Sequence, residues 1–411
     1  MIKKAFYMAL LLVLVACEDK FEVTYRYSRP YNVPILLDAS EILVDIQVKP
    51  SINPDAAFKI ASNDQYFFVG EKMKGVHVYE KTDEFHASPL CFIECQQIKA
   101  FDVENNILYC NNFTDLLVLD IENPLQAKIL HREKDYFNKY SNSTFNLPIF
   151  YNVAINANVY EIGYQLTVLT NVEIDANPNI IVKQIPNNIQ INKPFAGIIN
   201  VESNIFTLGN NNIMQCSYTP DGFEISQSAI NFPNYPSVMP TDNLQYKNGV
   251  IFLIGGGIIG INGGFIYWDY QNMSEQIHGY RPWWPVRDVV SLKEQANNHA
   301  AIWQGGDQND IYFDLVRITE DGVYNGGFGA RFFGVSSIIN VNDTILTLGN
   351  QLTLHRSYIN QDNAYSFERV KLYTNISGSA MLRDGDRLIV ANKQGLFIYN
   401  ISDLQNIKLI P

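Results

Sequence analysis

Residues Leu108–Ile121 read LYCNNFTDLLVLDI, and Leu388–Ile401 read LIVANKQGLFIYNI. Aligned without a gap, Leu108 falls on Leu388, Leu116 on Leu396 and Asp120 on Asn400. Each stretch is an apolar run, a short polar break and a second apolar run. An Asp or Asn near its end is suited to hydrogen-bond nearby backbone and open the next turn. The pattern predicts two strands joined by a tight hairpin. Phe67–Glu80, FFVGEKMKGVHVYE, repeats it with one extra turn residue, and Ala127–Leu130 and Asn406–Ile410 predict a further strand after the other two copies.

A looser set of copies lies outside these. Asn204–Tyr218 (NIFTLGNNNIMQCSY) and Thr344–Tyr358 (TILTLGNQLTLHRSY) both carry Thr-Leu-Gly-Asn at the expected turn, and less regular units occur near Tyr151–Gln184, Gly249–Tyr270 and Asp288–Gly322. Units then begin near Phe58, Ile98, Phe150, Gly197, Pro240, Val290, Phe332 and Ile376. The spacing of roughly 40–50 residues is the period of four-stranded propeller blades. One such unit is too thin to bury both of its faces, so copies must stack, and a closed ring leaves only short protected edges. Strands covered on both faces should read as continuous apolar runs, as Leu116–Leu119 and Leu396–Tyr399 do. The expected fold is all-β: a β-propeller with seven or eight four-stranded blades over residues 55–411.

Composition agrees. The chain has 411 residues, 47% of them hydrophobic and 18% charged, with 24 Tyr and 24 Phe. Aromatic side chains pack well on a pleated surface, and so much apolar material excludes a disordered chain. The net charge of -12, with no basic stripe, makes phosphate backbones repulsive and excludes nucleic acid as a partner.

The N-terminus is a targeting segment. Lys3 and Lys4 precede an apolar run from Ala5 to Ala16. That run is shorter than the 18 or so residues of a membrane-spanning helix. It ends in Leu14-Val15-Ala16-Cys17, which resembles the lipobox of bacterial lipoprotein precursors. The resemblance implies a signal peptide over residues 1–16 and lipidation of Cys17; an ordinary secretory signal beside a chance Cys is the alternative. Glu18 and Asp19 resemble the surface-export signal of Bacteroidetes-type lipoproteins. Residues 17–54 read as a tether leading into a first strand. The anchor would hold the protein on the outer membrane, on its periplasmic or cell-surface side. Removing residues 1–16 takes away two lysines and no acid, leaving -14.

Over Phe58–His131 and Arg387–Leu409 the chain resembles Bacteroidetes lipoproteins built from LVIVD-type repeats. The resemblance is carried by VGEKMKGVHVYEKTD (Val69–Asp83) and ILYCNNFTDLLVLDIENP (Ile107–Pro124), with Leu117-Val118-Leu119-Asp120 standing at the apolar run and Asp of that motif. It implies a β-propeller on the cell envelope and brings no shared activity. The middle of the chain departs from the pattern by lacking the Asp-Ile-x-x-Pro ending.

Chemistry-bearing residues give no catalytic signature. Beyond Cys17, the cysteines are Cys91, Cys95, Cys110 and Cys216. Four is compatible with disulfides in an oxidising compartment, but they read first as buried apolar thiols. Cys91 and Cys95 share an expected strand, which places them roughly 13 Å apart and forbids a mutual bridge without a bend. The six histidines form neither His-x-His nor His-Glu-x-x-His, and His77 and His355 read as packed strand residues. No Gly-x-Ser-x-Gly elbow occurs. Gly255–Gly257 and Gly263-Gly264 lack the Lys-Ser/Thr of a phosphate loop and read as hairpin turns, as does Ser377-Gly378-Ser379 between units. Asp307–Asp310 and Asp384–Asp386 read as Asx turns, with Ca²⁺ ligation the alternative. Trp268 and Trp303 read as core.

The candidate binding segment is Tyr280–Asp288, YRPWWPVRD. Its prolines hold Trp283 and Trp284 in an extended loop flanked by Arg281 and Arg287. Exposed aromatics stack on sugars or anchor protein partners, and arginines take carboxylates. The alternative is that the tryptophans fill a groove between units. The expected role is a lipid-anchored binding or scaffold module for a protein or glycan. An envelope enzyme acting on polysaccharide or peptide would need paired carboxylates or a His site in the central funnel. A third possibility is a structural subunit of an outer-membrane complex. No catalytic residue, metal or cofactor is assigned.

Overall fold

The structure is a computed structural model. It describes residues 26–38, 44–140, 159–173, 193–208, 212–225, 230–231, 240–247, 249–255, 264–269, 278–280, 286–291, 298–304, 311–319, 322–325, 331–332, 335–341, 344–359 and 365–410. Among these, every regular element is a strand apart from one 3-10 turn, Pro124–Gln126. Asn123 caps that turn by accepting a hydrogen bond from the Leu125 amide.

The chain forms two compact units, one of residues 1–35, 146–155 and 163–188, the other of residues 36–145, 156–162 and 189–411. Among its described residues the second contains seven antiparallel sheets built on a meander of four consecutive strands, and a two-stranded sheet pairing Asn138–Tyr140 with Lys193–Phe195. Sheet 1 comprises Ala57–Ser62, Tyr66–Glu71, Gly75–Lys81 and Ala87–Glu94, and sheet 2 Phe101–Glu104, Ile107–Asn112, Asp115–Asp120 and Lys128–Glu133. Sheet 3 holds Ile198–Val201, Asn204–Leu208, Asn212–Thr219 and Gly222–Ile225; sheet 4 holds Pro240–Lys247, Val250–Gly255, Gly264–Asp269 and His278–Tyr280. Sheet 5 follows with Val286–Ser291, Asn298–Gln304, Ile311–Thr319 and Gly322–Asn325. Sheet 6 is Ser337–Val341, Thr344–Leu348, Leu352–Ile359 and Tyr365–Tyr373, and sheet 7 Ala380–Asp384, Arg387–Asn392, Gly395–Asn400 and Lys408–Leu409.

Neighbouring sheets meet through their first strands. Those of sheets 1 and 2, 2 and 3, and 3 and 4 pack together; the second strand of sheet 4 meets the first of sheet 5; the series continues through sheets 6 and 7. The first strand of sheet 7 then packs on the first strand of sheet 1. The order returns to its start.

The quoted repeats define the central hairpins. Strands Ile107–Asn112 and Asp115–Asp120 have bounds that fall, residue for residue, on Arg387–Asn392 and Gly395–Asn400. The closing Asx residue behaves alike in both: Asp120 Oδ1 accepts the Glu122 amide at 3.0 Å, and Asn400 Oδ1 accepts the Ser402 amide at 2.9 Å. Side chains alternate across each strand. Leu388 and Val390 pack on Leu346 and Leu354 of sheet 6, while Ile389 between them packs on Phe67 and Val69 of sheet 1. Both faces are covered, which is why these strands are apolar throughout. Burying each such side chain stabilises the fold by roughly 1.5–3 kcal/mol relative to exposure. At Gly70 sheets 1 and 2 approach so closely that a Cβ would lie 2.3 Å from Phe101 Cε1 and 2.8 Å from Phe58 Cε1.

Within residues 17–54, Arg26–Asp38 pairs with Val159–Glu173 in a two-stranded sheet, and Gln47–Pro50 adds to the outer edge of sheet 1 against Ala87–Glu94. The unit expected from Phe150 lies largely outside the described residues, and its described strand, Val159–Glu173, belongs to that two-stranded pairing. No helix of the described residues is long and apolar enough to cross a membrane.

Candidate functional site

The inner first strands carry polar side chains that reach across sheets. Lys59 Nζ of sheet 1 lies 2.5 Å from Asp102 Oδ2 of sheet 2 and donates to the Ile198 carbonyl of sheet 3 at 3.1 Å. Asp102 Oδ2 also accepts the Asn200 amide at 2.8 Å, and Asn200 Nδ2 donates to the Val103 carbonyl at 2.6 Å. One carboxylate thus joins three sheets. Lys247 of sheet 4 reaches the Ile338 carbonyl of sheet 6 at 2.9 Å. Both lysines thus reach sheets that are not their neighbours in the series. A charge-assisted network of this kind holds the strands in register, because removing one member strands another without its partner.

Side-chain pairs of a second kind sit between central strands. In sheet 6, Thr347 Oγ1 and His355 Nε2 are 3.0 Å apart. In sheet 3, Thr207 Oγ1 lies 3.3 Å from Cys216 Sγ. In sheet 1, His77 Nε2 lies 2.9 Å from Glu71 Oε2, and its Nδ1 lies 3.0 Å from the Ile52 carbonyl. Both ring nitrogens of His77 thus face an oxygen. Burial pushes the Glu71 carboxyl up, but hydrogen bonds from Lys74 and His77 outweigh it and hold the group below its usual range. These pairs are buried. They brace sheets and have no solvent-facing atom for chemistry.

What faces solvent is set by the turns. The turn between second and third strands contacts the connector that leads to the next sheet: Met73 N donates to Ile98 O at 2.7 Å, Phe137 N to Thr114 O at 2.8 Å, and Gly378 N to Gly349 O at 3.0 Å. These turns and connectors form one face. Its described cations are Lys72, Lys74, Lys134 and Lys393, all exposed, and half-buried Lys99, against exposed Asp45, Asp55 and Asp135. Lys393 Nζ lies 3.0 Å from Asp55 Oδ1, and that ammonium holds the Asp55 carboxyl below its usual range. The opposite turns expose Asp64, Asp83, Glu84, Glu122, Glu202, Asp221, Asp386 and Asp403, with no Lys or Arg among their described residues. The described residues of the first face thus carry both signs, whereas those of the opposite turns are acidic.

Arg281, Trp283 and Trp284 lie outside the described residues, as does Cys17. Arg287 lies in the first strand of sheet 5, with its side chain outside the description. The segment connects the last strand of sheet 4 to the first of sheet 5. Trp268 and Trp303 are in central strands, opposite Ile251 and Val286. Asp307–Asp310 and residues 256–263 lie outside the description, while Gly385, at φ 59°, makes Asp384–Asp386 a hairpin turn. Among the described residues no three His, Cys, Asp or Glu side chains converge as a metal cage. Lys59 and Asp102 were missed by motif reading; the one signal was a charge inside an apolar strand, AFKIAS and FDVE.

No protein-family model matches this chain, and no curated protein matches it. Solved structures do. A chain of Kuenenia stuttgartiensis hydrazine synthase superposes with a TM-score of 0.50 at 12% identity, covering 87% of this chain and 97% of that one. The likeness is one of fold. A protein from Lactobacillus plantarum gives 0.45 at 10% identity, over 78% of this chain and 85% of that one. The WD40 β-propeller domain of Doa1 gives 0.46 at 7% identity, over 88% and 98%.

Proposed function

We propose that the seven sheets are the blades of one seven-bladed β-propeller, held at the outer membrane by lipid on Cys17, which serves as a binding module for a protein partner. The cyclic order of first-strand contacts, with Lys59 and Lys247 spanning non-neighbouring sheets, is the observation that carries this reading. Such a ring is a rigid frame presenting loops from every blade on one face. Exposed Lys72, Lys74, Lys134 and Lys393 of that face offer pairing sites for acidic groups of a partner, since complementary charge steers encounter and fixes register. Trp283 and Trp284 lie in a connector of the same class as residues 95–100 and 374–379, which border the lysine-bearing turns, and they supply the apolar anchor. LVIVD-type lipoproteins, which the sequence resembles, would be its kin.

Crosslinked pull-down from intact cells tests this. Replacing Trp283 and Trp284 together by Ala should weaken capture about tenfold or more, the loss typical of central aromatic anchors. Reversing Lys72, Lys74 and Lys393 to Glu should slow association. Undiminished capture by both folded variants removes the face from the proposal. Capture competed only by free sugars would replace the protein partner with a glycan. Labelled fatty acid should enter the wild-type chain and be lost in Cys17→Ala.

A further inference from the structure

We infer that Cys95 and Cys110 are a disulfide site that staples sheet 1 to sheet 2. Their Sγ atoms lie 3.9 Å apart, one at the end of sheet 1 and the other on the second strand of sheet 2. A disulfide needs about 2.05 Å, and sulfur swings on its Cα–Cβ bond, so rotation of the two side chains can close the gap. Cys95 Sγ also donates to the Asn111 carbonyl at 3.6 Å, and the other two described thiols have partners of their own. Cys91 Sγ donates to the Pro124 carbonyl at 3.6 Å, and Cys216 Sγ sits between Thr207 Oγ1 and Tyr136 Oη at 3.3 and 3.4 Å. Of the four described cysteines, Cys95 and Cys110 are the pair whose sulfurs face each other.

The surroundings fit a bridge. Asn112 Nδ2 is 3.9 Å from Cys95 Sγ, and Asn112 Oδ1 is buried with no hydrogen-bond partner. The amide therefore gains nothing from a free thiol that it would lose beside a bridged sulfur. Both sulfurs belong to residues that are at most 1% exposed. The hydrogen bond with Cys95, together with burial, pushes the Cys110 thiol well above its ordinary range. A buried, protonated thiol resists exchange, so the bond must form while the chain folds. The exchange balances as two cysteine thiols plus one small disulfide giving the Cys95–Cys110 bond and two small thiols. The two electrons and two protons pass to the oxidant, and export to an oxidising compartment supplies this class of reagent.

The test refolds the full chain in oxidised and reduced glutathione, blocks free thiols in denaturant, and maps peptides before and after reduction. The expected result is a Cys95–Cys110 cross-linked peptide two hydrogens lighter than the separate peptides, with Cys91 and Cys216 alkylated without reductant. The oxidised form should unfold at higher denaturant than the reduced form, and that difference should vanish in Cys95→Ala and, separately, in Cys110→Ser. Alkylation of all four thiols before reduction, or a bridge joining any other pair, overturns the inference.

Discussion

His355 stands opposite Ile345 on the central strands of sheet 6, with Thr347 as its hydrogen-bonding neighbour. Burial, helped by the nearby Arg369 charge, lowers its pKa from 6.5 to about 4. Above pH 6.5 the ring is neutral whether the chain is folded or not, so stability is unaffected. Between there and pH 4 the unfolded chain takes up a proton that the fold refuses, and stability falls with pH. The whole loss is roughly 3 kcal/mol, at 1.36 kcal/mol per unit. Urea unfolding at pH 7.5 and pH 5 should show the decline in the wild type and a smaller one in His355→Gln. An equal decline in both would assign the effect to other groups.

At the scale of elements, Gly70→Ala should cost about 1–3 kcal/mol, because the new methyl group meets the rings of Phe101 and Phe58 across sheets 1 and 2. Chemical denaturation measures the loss, and adding Phe101→Leu should recover part of it. Recovery separates crowding from any intrinsic preference for glycine. This close approach was invisible in the sequence, whereas the hairpin around it was plain. Repetition made Ile107–Asp120 and Arg387–Asn400 legible as strand pairs, and local Asx geometry made their exits legible too. Pairings made at long range were not. Gln47–Pro50 joins sheet 1 through residues more than forty positions away, and nothing in its own four residues names that partner. The buried Asn111 is a similar case. It pins the connector between sheets 1 and 2 by accepting the Lys99 and Ala100 amides at 2.7 and 2.8 Å, yet by sequence it is one polar residue in a turn-like NN pair. Lys59 and Asp102 had a detectable oddity, charge amid apolar neighbours, but no spacing that linked them. The tryptophan segment was singled out by composition alone.

At the scale of the second unit, the contact of sheet 7 with sheet 1 completes the series. Ile389, Ala391 and Ile398 lie against Ile60, Phe67, Val69 and Tyr79, and Arg387 donates to the Glu84 carbonyl at 2.9 Å. Ile389→Ala should therefore cost about 2–5 kcal/mol, as for other large-to-small changes in a core. Ending the chain at Tyr373 should do more. It bares the sheet 1 face and the sheet 6 face together, so the product should aggregate or lose its near-UV signal, not persist as a compact six-sheet form. Gel filtration and near-UV dichroism distinguish the two. A monodisperse product with a sharp thermal transition would mean that each sheet stands independently of the series.

That meeting of first and last sheets lends no strand in either direction. Sheet 1 draws all its strands from residues 47–94 and sheet 7 all of its own from 380–409. Each ladder is complete in one stretch of gene, and the clasp between them is greasy side chains with a few polar ties. A duplication that added a module there, or a deletion that dropped one, would ask only for a matching surface. No backbone bond would have to change hands, which leaves the number of modules free to drift over evolutionary time.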